Sequence, residues 1–147
     1  MMKIADLLNM KGTAVVSINQ DRMVYDAVKV LFENKIGALL VTDDNAEIVG
    51  ILSERDILRE SYRQHEKLKE IAIKDVMTVN LIVGEPNDDL SQVKETMIHN
   101  RIRHLPVISK SKLQGVLSMR DIMEAELQTV QQENHHLKKI IGKNKES

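Results

Sequence analysis

Apolar and polar residues follow two periods along the first half of the chain, and these periods predict strands and helices. The segments 13–18 and 38–42 are rich in Val, Ile and Leu. The second is a continuous aliphatic run, which is typical of a strand buried on both faces. Between them, apolar residues at intervals of three and four predict a helix over 22–34. A strand over 47–52 and a helix over 54–70 complete the order strand, helix, strand, strand, helix.

The second half of the chain repeats the sequence of the first. Residues 34–42 (NKIGALLVT) align with 100–108 (NRIRHLPVI) at an offset of 66, and residues 48–58 (IVGILSERDIL) align with 113–123 (LQGVLSMRDIM) at an offset of 65. Ten of these twenty aligned positions are identical, and self-similarity at a fixed offset indicates a structural repeat. In the second copy, strands are predicted near 79–84, 105–109 and 113–117, and helices near 89–100 and 119–141.

Each repeat is short for an independent core, because a unit of about 60 residues buries too little surface to be robust alone. The sequence therefore predicts an α/β (α+β) protein in which two β-α-β-β-α repeats form a pseudo-twofold pair, followed by a C-terminal helix. Two short segments, 4–8 (IADLL) and 73–77 (IKDVM), also resemble each other, and an extended stretch is predicted near 71–77. The predicted boundaries are 3–70 for the first repeat with its linker helix, 71–125 for the second repeat and 126–147 for the helical tail.

Composition and charge narrow the range of functions. Only 2% of the 147 residues are aromatic, which disfavours a fold that stacks nucleic-acid bases on aromatic rings. The formal net charge is −1, and no basic stripe along the chain suggests a nucleic-acid groove. The absence of cysteine excludes disulfides and thiolate chemistry, and no apolar run is long enough to span a bilayer. We therefore expect a soluble, cytoplasmic protein with no nucleic-acid or membrane partner.

A Gly-aliphatic-x-Ser-x-Arg-Asp motif ends the last predicted strand of both repeats. The motif residues are Gly50, Ser53, Arg55 and Asp56 in the first repeat and Gly115, Ser118, Arg120 and Asp121 in the second. Ser-x-x-Asp before an apolar helical run is close to a capping box, in which the two side chains satisfy free backbone N–H groups at a helix start. This interpretation accounts for the serine and the aspartate, and less readily for the glycine and the arginine.

The same motif also carries the chemistry of a nucleotide site. A helix N-terminus attracts phosphate, arginine can clamp phosphate with two parallel hydrogen bonds, and a carboxylate can accept the hydroxyls of a ribose. The serine hydroxyl adds a donor, and the glycine would leave room for a ligand beside the strand. The residues alone leave both interpretations open.

The repeated order of elements, with G-h-x-S-x-x-D at its end, resembles the CBS domain, and two such repeats in tandem resemble a Bateman module. The resemblance covers about residues 3–125. Lys11-Gly12, IGALLV (36–41), SERDIL (53–58) and RHLPV (103–107) are further similar to small stand-alone bacterial proteins of this family. It implies a non-catalytic regulatory module that binds an adenine nucleotide, such as AMP, ATP or NAD, in the cleft between the two repeats.

The resemblance also implies which residues line two pockets. Adenine would lie against aliphatic side chains and backbone, and the Ser and Asp of each motif would hold phosphate and ribose. One pocket would combine Ser118, Arg120 and Asp121 with Val15, Val16, Gly37, Ala38 and the phosphate-facing Arg103. The other would combine Ser53, Arg55 and Asp56 with Leu81, Ile82 and His104.

No catalytic constellation is recognisable in the sequence. The chain has no nucleophile elbow, P-loop or HExxH motif, and its histidines show no metal-ligand spacing. We therefore predict no enzymatic activity and no metal site. The alternative to a nucleotide sensor is a ligand-independent structural protein that uses the repeat pair and the tail only for assembly.

The tail has a heptad pattern of apolar residues. Met123, Leu127, Val130, Asn134, Leu137 and Ile141 are spaced alternately by four and three residues. An Asn at an a position favours a two-stranded coiled coil in register, so the pattern predicts a homodimer. The alternative is an amphipathic helix that folds back on its own domain.

Overall fold

The computed structural model of the protein describes residues 2–12 and 15–146, with side chains described as far as residue 141. These residues form two compact units. The repeat-1 unit comprises residues 15–82, and the repeat-2 unit comprises residues 2–12 together with 83–146. In chain order the elements are α1 (Ile4–Lys11), β1 (Ser17–Asn19), α2 (Val24–Asn34), β2 (Ala38–Thr42), β3 (Ile48–Ser53), α3 (Glu54–Gln64), α4 (Leu90–His99), β4 (His104–Ser109), β5 (Lys112–Ser118) and α5 (Met119–Glu146).

The repeat-1 unit has the predicted order of strand, helix, strand, strand and helix. β2 lies in the centre of a three-stranded sheet, parallel to β1 and antiparallel to β3. Its residues Leu39, Leu40 and Val41 are at most 2% exposed, which confirms a strand buried on both faces. From α2, Val24 and Leu31 complete this core at the predicted helical spacing.

Two elements of the repeat-1 unit are shorter than predicted. β1 begins at Ser17, and residues 13 and 14 of the predicted strand lie outside the described residues. α3 ends at Gln64 rather than at residue 70, and a 3-10 turn follows it. After this turn, the carbonyls of Leu68 and Ile71 accept hydrogen bonds from the free N–H groups at the start of α2.

The repeat-2 unit contains a two-stranded antiparallel sheet, β4 and β5, and the strand predicted near 79–84 is wrong. Of the residues in this predicted strand, only Gly84 pairs with β4, through a single parallel bridge to Val107. In the repeat-1 unit, the N–H of Leu40 donates to the carbonyl of Val16 and extends the corresponding ladder. Pro106 occupies the equivalent position and has no N–H to donate, so the ladder ends after one bridge.

The two hairpins share an irregularity and differ in their turns. Each has a register shift next to the motif glycine, between Val41 and Thr42 in β2 and between Val107 and Ile108 in β4. The first hairpin turns through residues 43–47, where the Asp43 carboxylate accepts two backbone N–H groups. The second turns through Lys110 and Ser111 alone, both with positive φ, as a type I′ hairpin turn requires. The shorter turn explains why the repeat offset falls from 66 to 65.

The short segment that precedes each repeat packs on the other repeat's sequence. α1 belongs to the repeat-2 unit, where Ile4 is fully buried and its N–H donates to the carbonyl of Asp88 at 3.0 Å. Its counterpart Ile73 is fully buried in the repeat-1 unit and donates to Arg22 at 2.8 Å. The extended stretch predicted near 71–77 contains a 3-10 turn at Ile73–Asp75, and α1 is not predicted by the sequence at all.

We expect Ile4→Ala to destabilise the repeat-2 unit by about 2–5 kcal/mol, because it removes a fully buried side chain and leaves a cavity. Met10→Ala in the same helix is the control, since Met10 is 59% exposed. Urea unfolding of both variants measures the difference. Equal stability of the two variants would show that α1 is not part of this core.

Candidate functional site

Both motifs form the start of a helix and close a capping box there. In the repeat-1 unit, the N–H of Ser53 donates to Asp56 Oδ2 at 3.0 Å, and the N–H of Asp56 donates to Ser53 Oγ at 3.4 Å. In the repeat-2 unit, the same reciprocal bonds join Ser118 and Asp121 at 2.8 and 3.0 Å. The capping interpretation of the motif is therefore correct for both serines and both aspartates.

The motif glycines make room for the protein's own chain, and the prediction that they make room for a ligand is wrong. A Cβ at Gly50 would lie 2.7 Å from Met77 Sδ and 2.9 Å from the carbonyl oxygen of Thr78. A Cβ at Gly115 would lie 3.0 Å from a methyl group of Leu8. Leu8 and Met77 occupy corresponding places in the two similar segments 4–8 and 73–77, so both repeats use their glycine in the same way.

Both carboxylate oxygens of Asp56 accept hydrogen bonds from within the protein. One carboxylate oxygen accepts from the backbone and the hydroxyl of Ser53. The other accepts from Arg59 at 2.9 Å and from the hydroxyl of Thr78 at 3.4 Å. The residue is 4% exposed. Its carboxylate therefore joins the start of α3 to Thr78, which pairs with Ile51 of β3.

Asp121 is held differently and is more open. Lys11 Nζ, from the end of α1, donates to Asp121 Oδ2 at 2.7 Å and to the carbonyl of Val116 at 2.6 Å. Burial acts to raise the pKa of Asp121, but hydrogen bonds from Lys11 and Ser118 outweigh it and hold the pKa below its ordinary value. The Asp121 side chain is 20% exposed, and the hydrogen bonds from Lys11 and from the N–H of Ser118 both end on Oδ2.

The first residues of β2 and β4 lie beside the motif of their own repeat. Ala38 pairs with Ser53, and the carbonyl of Gly37 accepts from the N–H of Glu54. In the repeat-2 unit, His104 pairs with Ser118, and the carbonyl of Arg103 accepts from the N–H of Met119. The structure thus places the backbone of Arg103 at the start of α5, and the predicted phosphate-facing role of its side chain stays a prediction. The predicted grouping of Gly37, Ala38 and His104 with the other repeat's motif stays a prediction.

The motif arginines point along the helix surface. Arg120 is exposed and donates to Glu124, one turn further along α5, at 3.0 Å. Arg55 is also exposed and lines a shallow surface depression with Leu58, Arg59, Ser61 and Tyr62. The phosphate clamp suggested for these arginines stays a prediction.

The four predicted aliphatic contacts lie outside the named helices and strands and are partly buried. Val15 and Val16 precede β1, and the carbonyl of Val16 accepts from Leu40. Leu81 and Ile82 lie in the repeat-1 unit, after the segment that covers β3. Their backbone and side chains have the chemistry expected around an adenine ring, but their contact with a ligand stays a prediction.

Comparison with known proteins settles the family. The family model of the CBS domain matches residues 5–63 and 73–128. The chain belongs to the CBS domain family. It is 32% identical over 146 residues to the mitochondrial CBS domain-containing protein CBSX3 of Arabidopsis thaliana, which covers 94% of this chain and 71% of that protein. Other curated relatives are longer: the chain spans 32% of one from Thermofilum pendens and 21% of an inosine-5′-monophosphate dehydrogenase from Nitrosopumilus maritimus.

Solved structures show the same fold. A CBS-domain containing protein from Agrobacterium tumefaciens matches with a TM-score of 0.82 and 32% identity, over 84% of this chain and 92% of that one. The CBS domain pair of the protein MJ0100, solved with 5′-methylthioadenosine and S-adenosyl-L-methionine, matches with a TM-score of 0.76 over 88% of this chain and 98% of that one. At 21% identity, this second match shows the shared fold only.

Sequence reasoning missed three residues that contact the motif aspartates of this CBS pair. Arg59 follows Asp56 by three residues, and this helical spacing could have indicated the pair. Thr78 and Lys11 carried no such signal, because each lies on a segment whose position only the fold determines. Lys11 is 110 residues away from Asp121 in the sequence.

The described part of the chain contains no group of three or more His, Cys, Asp or Glu side chains suited to a metal ion. Among the same residues, no helix is long and apolar enough to cross a membrane.

Gly50→Ala should destabilise the protein by about 1–3 kcal/mol, the usual cost of overpacking, because the carbonyl of Thr78 is backbone and cannot swing aside. Gly115→Ala should cost less, because only the Leu8 side chain must give way. Urea unfolding of the two variants ranks them. The reverse order would contradict this account of the motif glycines.

Lys11→Met should raise the pKa of Asp121 towards its ordinary value, since the variant loses the amine that donates to the carboxylate. A lowered pKa means that Asp121 stabilises the folded state above about pH 4 and loses this contribution as pH falls through the folded-state pKa. NMR titration of the Asp121 carboxyl carbon measures the shift. Lys112→Met is the control, and an unchanged midpoint in Lys11→Met would exclude the contact in solution.

Proposed function

We propose that this CBS pair is a regulatory module that binds an adenosine-containing ligand, such as AMP, ATP or NAD, without catalysing a reaction on it. The observation that carries the proposal is the start of α5. There an open carboxylate, a serine hydroxyl and the amine of Lys11 lie together within the repeat-2 unit. Ribose and phosphate need these three kinds of group.

The chemistry of the Asp121 site fits a nucleotide in two parts. The Asp121 carboxylate can accept a ribose hydroxyl on Oδ1 while Oδ2 keeps its capping bond. Lys11 carries positive charge to a helix N-terminus that already attracts anions, so a phosphate there would gain from both. Two exposed arginines would add further positive charge: Arg120 in the first turn of α5, and Arg103, whose carbonyl accepts from the N–H of Met119.

The Asp56 site is the weaker of the two in this proposal. A ribose hydroxyl can reach the Asp56 carboxylate only by replacing a bond from Ser53, Arg59 or Thr78. Each replacement gives up a hydrogen bond that stabilises the fold. We therefore propose that the ligand binds first at Asp121, and that Ser53, Arg55 and Asp56 form a second site of lower affinity.

Two observations support a ligand that contains adenosine over a phosphate compound without it. The residues predicted to contact adenine are aliphatic or small and need no aromatic stacking: Val15, Val16, Gly37 and Ala38 in one pocket, and Leu81 and Ile82 in the other. A CBS pair of the same fold has been solved with methylthioadenosine and S-adenosylmethionine. Ligand binding would shift the population of protein conformations, and we propose that a second copy of the chain or an unidentified regulated protein responds to this shift.

Asp121→Asn should weaken the binding of AMP by roughly 10- to 100-fold, because a hydrogen bond to a charged acceptor contributes about 1.5–3 kcal/mol. Removing the ribose hydroxyl from the ligand should have the same effect on the wild type. The variant should therefore bind 2′-deoxy-AMP or 3′-deoxy-AMP about as well as AMP. Calorimetry with the three ligands measures both effects.

Asp88→Asn is the matched control, since the Asp88 carboxylate also accepts a backbone N–H in the repeat-2 unit, that of Glu85, and lies outside the motif. Its AMP affinity should equal that of the wild type. The competing function is ligand-independent assembly, which the exposed apolar face of α5 favours. A ligand at 100 times its dissociation constant adds about 2.7 kcal/mol of stability. No thermal stabilisation by millimolar AMP, ATP or NAD would therefore favour assembly and contradict the proposal.

A further inference from the structure

The C-terminal part of α5 presents a continuous apolar face that nothing covers in the described chain. The seam, as we call it, is formed by Met123, Leu127, Val130, Asn134, Leu137 and Ile141. Its five apolar side chains are between 50% and 60% exposed. Apolar residues at this spacing lie on one side of a helix, so the exposure is not scattered but concentrated in a stripe.

A different face of the same helix anchors it to the repeat-2 unit. Ile122 and Ala125 are at most 4% exposed, and Lys94 on α4 forms an ion pair with Glu126 at 2.8 Å. The alternative that the tail folds back to bury its seam is therefore wrong for residues 123–141. Because the unit already holds the first turns of α5, the exposed turns need no separate helix nucleation.

We infer that a second copy of this chain covers the seam, as a parallel two-stranded coiled coil in register. Leu127, Asn134 and Ile141 occupy a positions, and Met123, Val130 and Leu137 occupy d positions. In a parallel pair in register, Asn134 faces Asn134 of the second copy and the two amides hydrogen-bond each other. In an antiparallel pair, Asn134 would face an apolar d residue and bury its amide without a partner.

Charges beside the seam favour the same arrangement. Glu133 occupies a g position and Lys138 the following e position. In a parallel coiled coil, the g residue of one helix lies next to the following e residue of its partner helix, so Glu133 would face Lys138 of the second copy twice per dimer. Ile140, at the next g position and 43% exposed, would widen the apolar contact near the end of the seam. This inference goes beyond the proposed ligand site and does not depend on it.

Cysteine cross-linking of the full chain tests the inference directly, because the natural sequence has no cysteine. Leu137→Cys should form a disulfide-linked dimer under mild oxidation, since two d positions face each other in a parallel pair. Gln132→Cys, on the outer f position of the same helix, is the matched control and should cross-link several-fold less. Equal cross-linking at the two positions, or none at residue 137, would overturn the inference.

A charge exchange tests the register in the Leu137→Cys background. Adding Glu133→Lys should lower the cross-linked fraction, because it places two lysines together, and adding Lys138→Glu as well should restore it. Circular dichroism checks that the exposed substitutions leave the helix intact. No loss with the single exchange, or no recovery with the double exchange, would contradict the parallel arrangement. AMP binding should be unchanged in each variant, so this result and the ligand proposal can fail separately.

Discussion

The rest of the structure depends on one kind of contact: the short segment that precedes each repeat packs onto a motif glycine. Leu8 lies on Gly115, and Met77 with the backbone of Thr78 lies on Gly50. Only a residue without Cβ lets the segment approach the strand this closely, and Thr78 then exchanges two backbone hydrogen bonds with Ile51. The same packing carries Lys11 to Asp121 and the Thr78 hydroxyl to Asp56, so the chemistry of both motifs follows from it.

The capping and ligand interpretations of the motif describe one arrangement rather than two. A serine and an aspartate that close a helix start must sit where backbone N–H groups and positive potential are available, and a phosphate seeks the same place. The difference between the repeats lies in what remains free. Asp56 uses both oxygens within the protein, whereas Asp121 is held through Oδ2 by Lys11 and Ser118. Two nearly identical motifs therefore differ in how the protein itself uses the carboxylate oxygens.

The duplicated sequence made much of the fold predictable, because elements that recur at a fixed offset support each other. The buried strand β2, the helix α2 and both helix starts lie close to their predicted positions. The failures lie where one residue or one distant contact overrides the local pattern. Pro106 removes a donor and with it a predicted strand, and the carbonyls of Leu68 and Ile71 stop a predicted helix to cap another. These effects need the position of the partner, which the local sequence does not contain.

The sequence by itself determined the family, the two repeats, the Ser–Asp helix starts and the heptad spacing of the tail, because each depends on residues close together in the chain. Only the tertiary structure decided that α1 belongs with the second repeat, that the glycines serve packing, and that Lys11 meets Asp121. It also decided which face of α5 is anchored and which is exposed. Helical periodicity reveals that a helix has an apolar face, but only packing against named neighbours determines which apolar residues are buried.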